Sequence, residues 1–407
     1  MRTGVIGIAL CAVLFAGAAE SGEISAEMFR HHYITRETPG RNVGAGAPAL
    51  ADFDGDGDLD FAFYNRGDAK LYWFEQQSAD QWVRHLAGEV PSGQLGCLSF
   101  DVDGDGSPDI VIGGSWYRNP GDPRERPFHR YTYDSTIERE IHDMVLADID
   151  GDGREDVVVT GDVDGCFWYS IPSDPARDAD WPRVTITMEV RDDRHDIHSG
   201  LNPGGVGDLD GDSDADVMLT DRWYENTARG TRWIEHRILY GKKGPWGLSS
   251  RSWITDVDGD GDNDAIVADS DGQNSAVAWI ENRDWKMTDT WVHYLANRAP
   301  GTLGSFHSLR VADFDGDGDD DILVVEQEDS KILPQGANPR WFIFENLGGT
   351  EFAERVIFDG RLGGHDVLIG DIDSDGDLDI ASKVWNAWKE NANGGKVHAD
   401  WLENLSR

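Results

Sequence analysis

Asp52-Phe53-Asp54-Gly55-Asp56-Gly57-Asp58-Leu59-Asp60, running directly into Phe61-Ala62-Phe63, decides how the rest of the chain reads. Carboxylates at positions 1, 3 and 5 fall on one side of a tight loop, and Gly55 and Gly57 allow the backbone to turn that sharply. Position 9 adds a fourth carboxylate where a β-like run begins. Hard oxygen donors in this number suit Ca²⁺. Without a cation they would repel one another and several would protonate. An EF-hand would need a bidentate Glu at position 12 between two helices; here position 12 is Phe63, inside a strand-like run.

The pattern Asp-x-Asp-x-Asp-x-x-x-Asp occurs seven times. After Asp52, Asp54, Asp56 and Asp60 come Asp101, Asp103, Asp105 and Asp109, then Asp148, Asp150, Asp152 and Asp156. The fourth copy is Asp208, Asp210, Asp212 and Asp216, and the fifth Asp256, Asp258, Asp260 and Asp264. The last two are Asp313, Asp315, Asp317 and Asp321, and Asp371, Asp373, Asp375 and Asp379. Successive first Asp residues lie 49, 47, 60, 48, 57 and 58 apart, the period of a propeller blade.

Each copy sits between two short β-branched runs, such as Met144–Ala147 before the third and Asp156–Thr160 after it. A third run carries Trp, often followed by x-Glu-Asn (Trp223, Trp279, Trp401), and a fourth follows, as in Trp291-Val292-His293-Tyr294-Leu295. Four short strands repeated seven times predict an all-β, seven-bladed β-propeller. The seventh repeat stops after its third strand, while Met28–Tyr33 resembles the fourth-strand runs. The N-terminal segment is therefore expected to complete the last blade and close the ring. Residues 1–19, with Arg2 before the apolar run Val5–Ala19, read as a secretory signal too short to span a bilayer. Residues 20–407 are then one propeller, exported into a secreted or periplasmic setting.

These repeats resemble the FG-GAP/VCBS repeats of calcium-binding seven-bladed propellers, the type in the integrin alpha-chain head. The resemblance covers nearly the whole chain after the leader. It implies the fold and up to seven structural Ca²⁺ ions, and little about function, because the family includes adhesion heads, lectins and parts of enzymes.

Composition points the same way. Asp plus Glu number 77 against 36 Lys plus Arg, which argues against nucleic acid and anionic membranes as partners. The ligand positions of the loops account for 28 of those acids, so the charge is concentrated in candidate metal sites. Cys97 and Cys166 read as two free thiols.

The face opposite the calcium loops is where chemistry is expected. His142, His307 and His365 each lie six residues before the first Asp of their loop, and His198 ten before its own. First strands line a propeller's channel, so these imidazoles are candidates for a catalytic cluster, for Zn²⁺ or another transition metal, or for both. Turns on the same face add Arg222 and Lys383 as catalytic candidates, and Trp116, Trp223, Trp385, Arg66 and Glu326 as candidate substrate contacts. Asn65, Asp162, Asp164, Asp221 and Glu328 lie in the same turns. His85, His236 and His293, on outermost strands, read as structural, and in-register Trp on third strands reads chiefly as packing. Two functions follow. One is a carbohydrate-active eliminating enzyme, a lyase or dehydratase, similar in outline to the propeller domains of aldos-2-ulose dehydratase and of several polysaccharide lyases. The other is a non-catalytic carbohydrate-binding or adhesion propeller.

Overall fold

The computed structural model describes residues 23–406, apart from 92–93, 138–139, 162–164, 179, 189–196, 239, 242, 245–246, 273, 284–285, 297–303, 329–337 and 387–392. The expected leader and the turn carboxylates Asp162 and Asp164 therefore lie outside the described residues. No helix among the described residues is long and apolar enough to cross a membrane.

Seven small antiparallel sheets follow one another along the chain. Blade 1 comprises Ala45–Ala51, Asp60–Asn65, Lys70–Ser78 and Gln81–Glu89, hydrogen-bonded in sequence order. Blades 2 to 6 repeat this order, starting at Cys97, Ile141, Val206, Ser250 and Phe306. Blade 7 is built from His365–Gly370, Asp379–Lys383 and Ala399–Asn404, and its outer strand is the N-terminal Phe29–Thr35. That strand pairs antiparallel with the last one, Phe29 opposite Asn404 and His32 opposite Trp401. The ring closes as the truncated seventh repeat predicts, and closure leaves no sheet edge open at the seam.

The second strands are buried from end to end, as in Asp60–Asn65, Asp216–Leu219 and Asp321–Glu326. A strand pressed between two neighbouring blades has no solvent face, which is why these runs are continuously apolar and do not alternate. Each neighbouring pair of blades shares an apolar cluster. One joins blades 1 and 2 around Trp73 and Tyr117, and another joins blades 7 and 1 around Phe61 and Trp401. Trp73, Trp116, Trp279, Trp341 and Trp401 are among the largest fully buried side chains.

A polar clamp ties the loops to this packing. The position-9 Asp is buried and accepts two backbone N–H bonds. Asp216 takes Leu209 N at 2.8 Å and Asn226 N at 2.8 Å. The same Asn then reaches back one blade. Asn226 Nδ2 donates to Ile149 O, Asn282 Nδ2 to Leu209 O and Asn404 Nδ2 to Phe314 O. Asn119 repeats the contact to Phe53 O, and in blade 1 Gln76 reaches Ile372 O across the closing seam. The Asn of Trp-x-Glu-Asn is thus a staple between successive loops. Cys97 and Cys166 are free thiols.

Candidate functional site

The loop between first and second strands is shaped by its first Asp. In blade 1, Asp52 accepts Gly55 N (2.7 Å) and Asp56 N (3.1 Å) on Oδ1 and Gly57 N (3.0 Å) on Oδ2. Gly55 and Gly57 stand at φ +76° and +102°, where a side chain would be strained. Positions 1, 3 and 9 converge: one oxygen each from Asp52, Asp54 and Asp60 lies within 4.8 Å of the others, and the same holds for Asp101, Asp103 and Asp109, and for Asp148, Asp150 and Asp156. In blade 7, buried oxygens of Asp371 and Asp373 have no hydrogen-bond donor. Orphaned buried acceptors in a carboxylate nest fit a bound cation.

The electrostatics agree. Burial, followed by neighbouring carboxylates, pushes Asp109, Asp156, Asp216, Asp264, Asp321 and Asp379 up to about 7, and Asp60 to about 8. The Glu of Trp-x-Glu-Asn adds a further negative charge beside position 3, Glu225 acting on Asp210 and Glu281 on Asp258. A fourth-strand His holds that Glu and stacks on the Trp. His85 bonds Glu75 and stacks on Trp73; His236 does the same with Glu225 and Trp223, His293 with Glu281 and Trp279, and His32 with Glu403 and Trp401. The outer histidines are structural. Blade 2 departs from the rule, because Arg118 occupies the Glu position and pairs with Asp103 (2.5 Å) and Asp105 (2.9 Å).

On the other face, β-bulges set the site. The inner-strand register shifts between Ile141 and Asp143, between Phe306 and Ser308, and between His365 and Leu368. Each irregularity falls at a candidate His or directly after it. A bulge re-aims the side chain it carries, and here the imidazoles form a row. His198 meets His142 at 4.4 Å between ring centroids, His142 lies 6.3 Å from His307, and His307 stacks on His365 at 3.6 Å. Trp385 continues the row, 5.2 Å from His365, with the Arg66 guanidinium 3.9 Å over its ring. Lys383 is fully buried and donates to Asp366 at 3.1 Å.

Carboxylates and one arginine that stand outside the repeated pattern complete the cluster. Asp143 receives His142 Nδ1 at 2.7 Å, and its other oxygen accepts the backbone N–H of Gly200, Leu201 and Asn202. Asp271 lies 3.6 Å from His307 and 4.0 Å from His198, and Asp366 lies 3.6 Å from His307. Arg251 Nη2 sits 2.7 Å from His307 Nδ1 and 3.3 Å from Asp366, while its Nη1 reaches Asp143 at 3.4 Å. The repeated His-Asp dipeptide at 142–143 and 365–366 is the sequence signal for two of these groups.

Protonation in the row is polarised. Burial, His307 and Lys383 hold His365 well below the usual imidazole range, and its Nδ1 has no partner. Burial and His198 lower His142 as well. Asp271 and Asp366 stay ionised despite burial, Asp271 chiefly through His307 and Asp366 chiefly through Lys383. Burial raises Glu328, whose Oε1 accepts Trp385 N and Asn386 N and whose Oε2 has no partner. His307, His365 and Asp366 each offer an atom within 4.8 Å of the others, a spacing that fits a transition metal.

Other expected site residues are placed elsewhere. Arg222 is fully buried within blade 4, bonded to Asp221 and Glu235, so it cannot serve a substrate in the funnel. Trp116 stacks on Tyr131 and Trp223 on His236; both are buried, and neither offers a face to a sugar ring. Glu326 is consumed by Arg340 and by Gly304 N. In all four cases the strand end that carries the residue turns its side chain into the blade packing.

The family model described as FG-GAP-like repeat matches residues 52–112, 101–159 and 256–324. No curated protein matches the chain. The crystal structure of BBS1N in complex with ARL6DN, soaked with lead, superposes with a TM-score of 0.51 at 12% identity, over 92% of this chain and 95% of that chain. The V. cholerae biofilm matrix protein Bap1 reaches a TM-score of 0.28 at 13% identity, over 90% of this chain and 70% of that chain. The rhamnogalacturonan lyase YesW reaches 0.36 at 16% identity, over 88% and 69%. Of these three, the first supports the fold.

Proposed function

We propose, from the premise that this chain is an FG-GAP-repeat β-propeller, that it is an exported, calcium-stabilised, carbohydrate-active protein with an eliminating site in its His-lined funnel. The observation that carries this reading is the row His198, His142, His307 and His365 set among Asp143, Asp271, Asp366, Arg251 and Lys383. Elimination needs a base for a C–H next to a carboxylate or carbonyl, a cation for the enolate, and an acid for the leaving oxygen. His365 is neutral and has a free nitrogen, so it takes the proton. Lys383 and Arg251 offset the enolate charge. Glu328, raised toward its protonated form, supplies a proton as the C–O bond breaks, the C=C bond forms and the leaving alkoxide becomes an alcohol.

Ca²⁺ belongs in the Asp loops, held by positions 1, 3, 5 and 9, where it neutralises each turn. If His307, His365 and Asp366 instead held Zn²⁺ or a related ion, that ion would supply Lewis-acid polarisation of a substrate carbonyl, His365 would be a ligand, and the base role would pass to His142. The test is incubation with uronic-acid polysaccharides and keto-sugars while following absorbance of new unsaturated products. Product formation that His365→Ala abolishes supports the reading. Binding of those sugars with no product, unchanged by His365→Ala, favours the second reading, a non-catalytic carbohydrate-binding propeller.

A further inference from the structure

Below the imidazole row the axial channel opens into a cavity of about 230 Å³ between the inner strands. Its lining is almost wholly small or apolar: Ala49, Leu98, Met144, Pro203 and Leu368 among others. Ala49, Leu98, Val145 and Leu368 stand three residues before the first Asp of their loops. Arg310 holds that place in blade 6 and, among the described residues, is the one charged side chain lining the cavity. It lies three residues along the strand from His307, about 10 Å.

Arg310 is half-buried in this apolar lining and under-committed for a cation in such a place. Its hydrogen bond runs from Nη1 to Leu309 O at 2.7 Å, and among the described residues it forms no ion pair. Burial lowers it to about 10, with Asp366 pulling in its favour and Arg251 against it. A partly desolvated guanidinium with no ion-pair partner in contact is held at a cost that a bound anion would offset. Occupying Nη1 leaves the Nε–Nη2 edge, whose two parallel N–H groups match the two oxygens of a carboxylate. Asn202 also lines the cavity. Its Oδ1 accepts Met144 N, so its amide is oriented and its Nδ2 is the end left for a ligand.

We propose that this cavity is a carboxylate-binding site, with Arg310 gripping the anion through its Nε–Nη2 edge and Asn202 as second donor. The volume exceeds what a chloride ion fills and suits a small organic acid or the acidic ring of a uronic acid. The site does not require the imidazole row to be catalytic. If it does serve the eliminating reading, it defines the substrate class as acidic sugars.

Isothermal titration of the calcium-loaded protein with glucuronate, acetate, glucose and chloride tests this. The expected result is saturable binding of glucuronate or acetate, at least tenfold tighter than chloride or glucose. Glucuronate alone identifies an acidic sugar; both acids together identify a general carboxylate site. Arg310→Lys keeps the charge and loses the fork, and should weaken binding at least tenfold. Arg310→Met should abolish binding and melt no lower than the wild type without ligand, because an unpaired charge has been removed. Equal affinity for chloride, no carboxylate binding, or unchanged affinity in Arg310→Lys would each overturn the proposal. His365→Ala should leave acetate binding intact, so loss of elimination and loss of this site are separable outcomes.

Discussion

Removing calcium should invert the way this protein's stability depends on pH. In the ion-free loops the position-9 carboxylates sit near 7, with Asp60 near 8. The same side chains in the unfolded chain ionise near 3.9. Between those values the folded state holds more protons than the unfolded one, so stability falls as pH rises. From pH 6.5 to 8 a group at 7 loses about 1 kcal/mol, by the relation of one pKa unit to 1.36 kcal/mol. Halving this for residual solvent and salt screening leaves about 0.5 kcal/mol a loop, or about 3.5 kcal/mol over seven loops. A chain of this size has an unfolding entropy of about 0.8 kcal/mol/K, so the midpoint should drop about 4 °C. The window starts at 6.5 because His142 and His365, held low, lose stability below it and act in the opposite sense. The assay is differential scanning calorimetry in chelator at pH 6.5 and 8, against the same pair with calcium. Bound Ca²⁺ keeps the carboxylates ionised, so the loaded protein should show no such drop. A chelated protein melting as high or higher at pH 8 would refute the account of the loops.

Three further outcomes follow from named contacts. His365→Ala should lower kcat/KM for elimination by at least 100-fold. The wild-type rate should hold as pH is lowered through 6.5, because His365 is kept neutral there; a rate that already drops on acidification at or above pH 6.5 would remove His365 as the base. Asn282→Ala strips two bonds, to Leu209 O and Asn263 O, and leaves buried carbonyls without a donor. Equilibrium denaturation should show a loss of about 2 kcal/mol, and an unchanged midpoint would mean the staple between blades contributes nothing. Arg118→Ala frees Asp103 and Asp105 from their guanidinium. Calcium titration should then gain about one site, or about tenfold in the weakest affinity, and an identical isotherm would show that Arg118 does not compete with the ion.

What the sequence disclosed depended on repetition. The blades, their order and the closing strand were legible because seven copies of one loop set the frame, and because the seventh lacked a fourth strand that Met28–Tyr33 supplies. The inner histidines were legible from their constant distance to the loop. Arg251 was not, because it lies five residues before Asp256 where His142, His307 and His365 lie six before theirs. Asp271 comes from the far end of a second strand and joins the row only through folding. The misplaced candidates share one cause. Arg222, Glu326, Trp116 and Trp223 do stand near strand ends, but sequence position does not say whether a side chain leaves the sheet or turns into the next blade. The β-bulges that decide this for the histidines have no residue signature of their own.

The departures from sevenfold repetition are therefore the informative part of the molecule. A propeller needs its loops and third-strand aromatics in every blade, and these recur, while among the described residues the staple joins five of the seven blades to the one before. It has no structural need for imidazoles on the inner strands of blades 3, 6 and 7 alone, for an arginine in blade 5, or for a second arginine in blade 6 where every other blade carries an uncharged residue. Burying His142, Asp143, Arg251, His307, His365 and Lys383 together costs more than burying the apolar groups that would close the channel. Rigid loops on one face hold the inner strands in register, and that register keeps the polar row in place on the other. Function written as broken symmetry on a repeated scaffold predicts that loop variants and row variants differ in kind. Asp216→Asn should reduce melting temperature and activity together, and added calcium should restore part of both. His365→Ala should reduce activity alone.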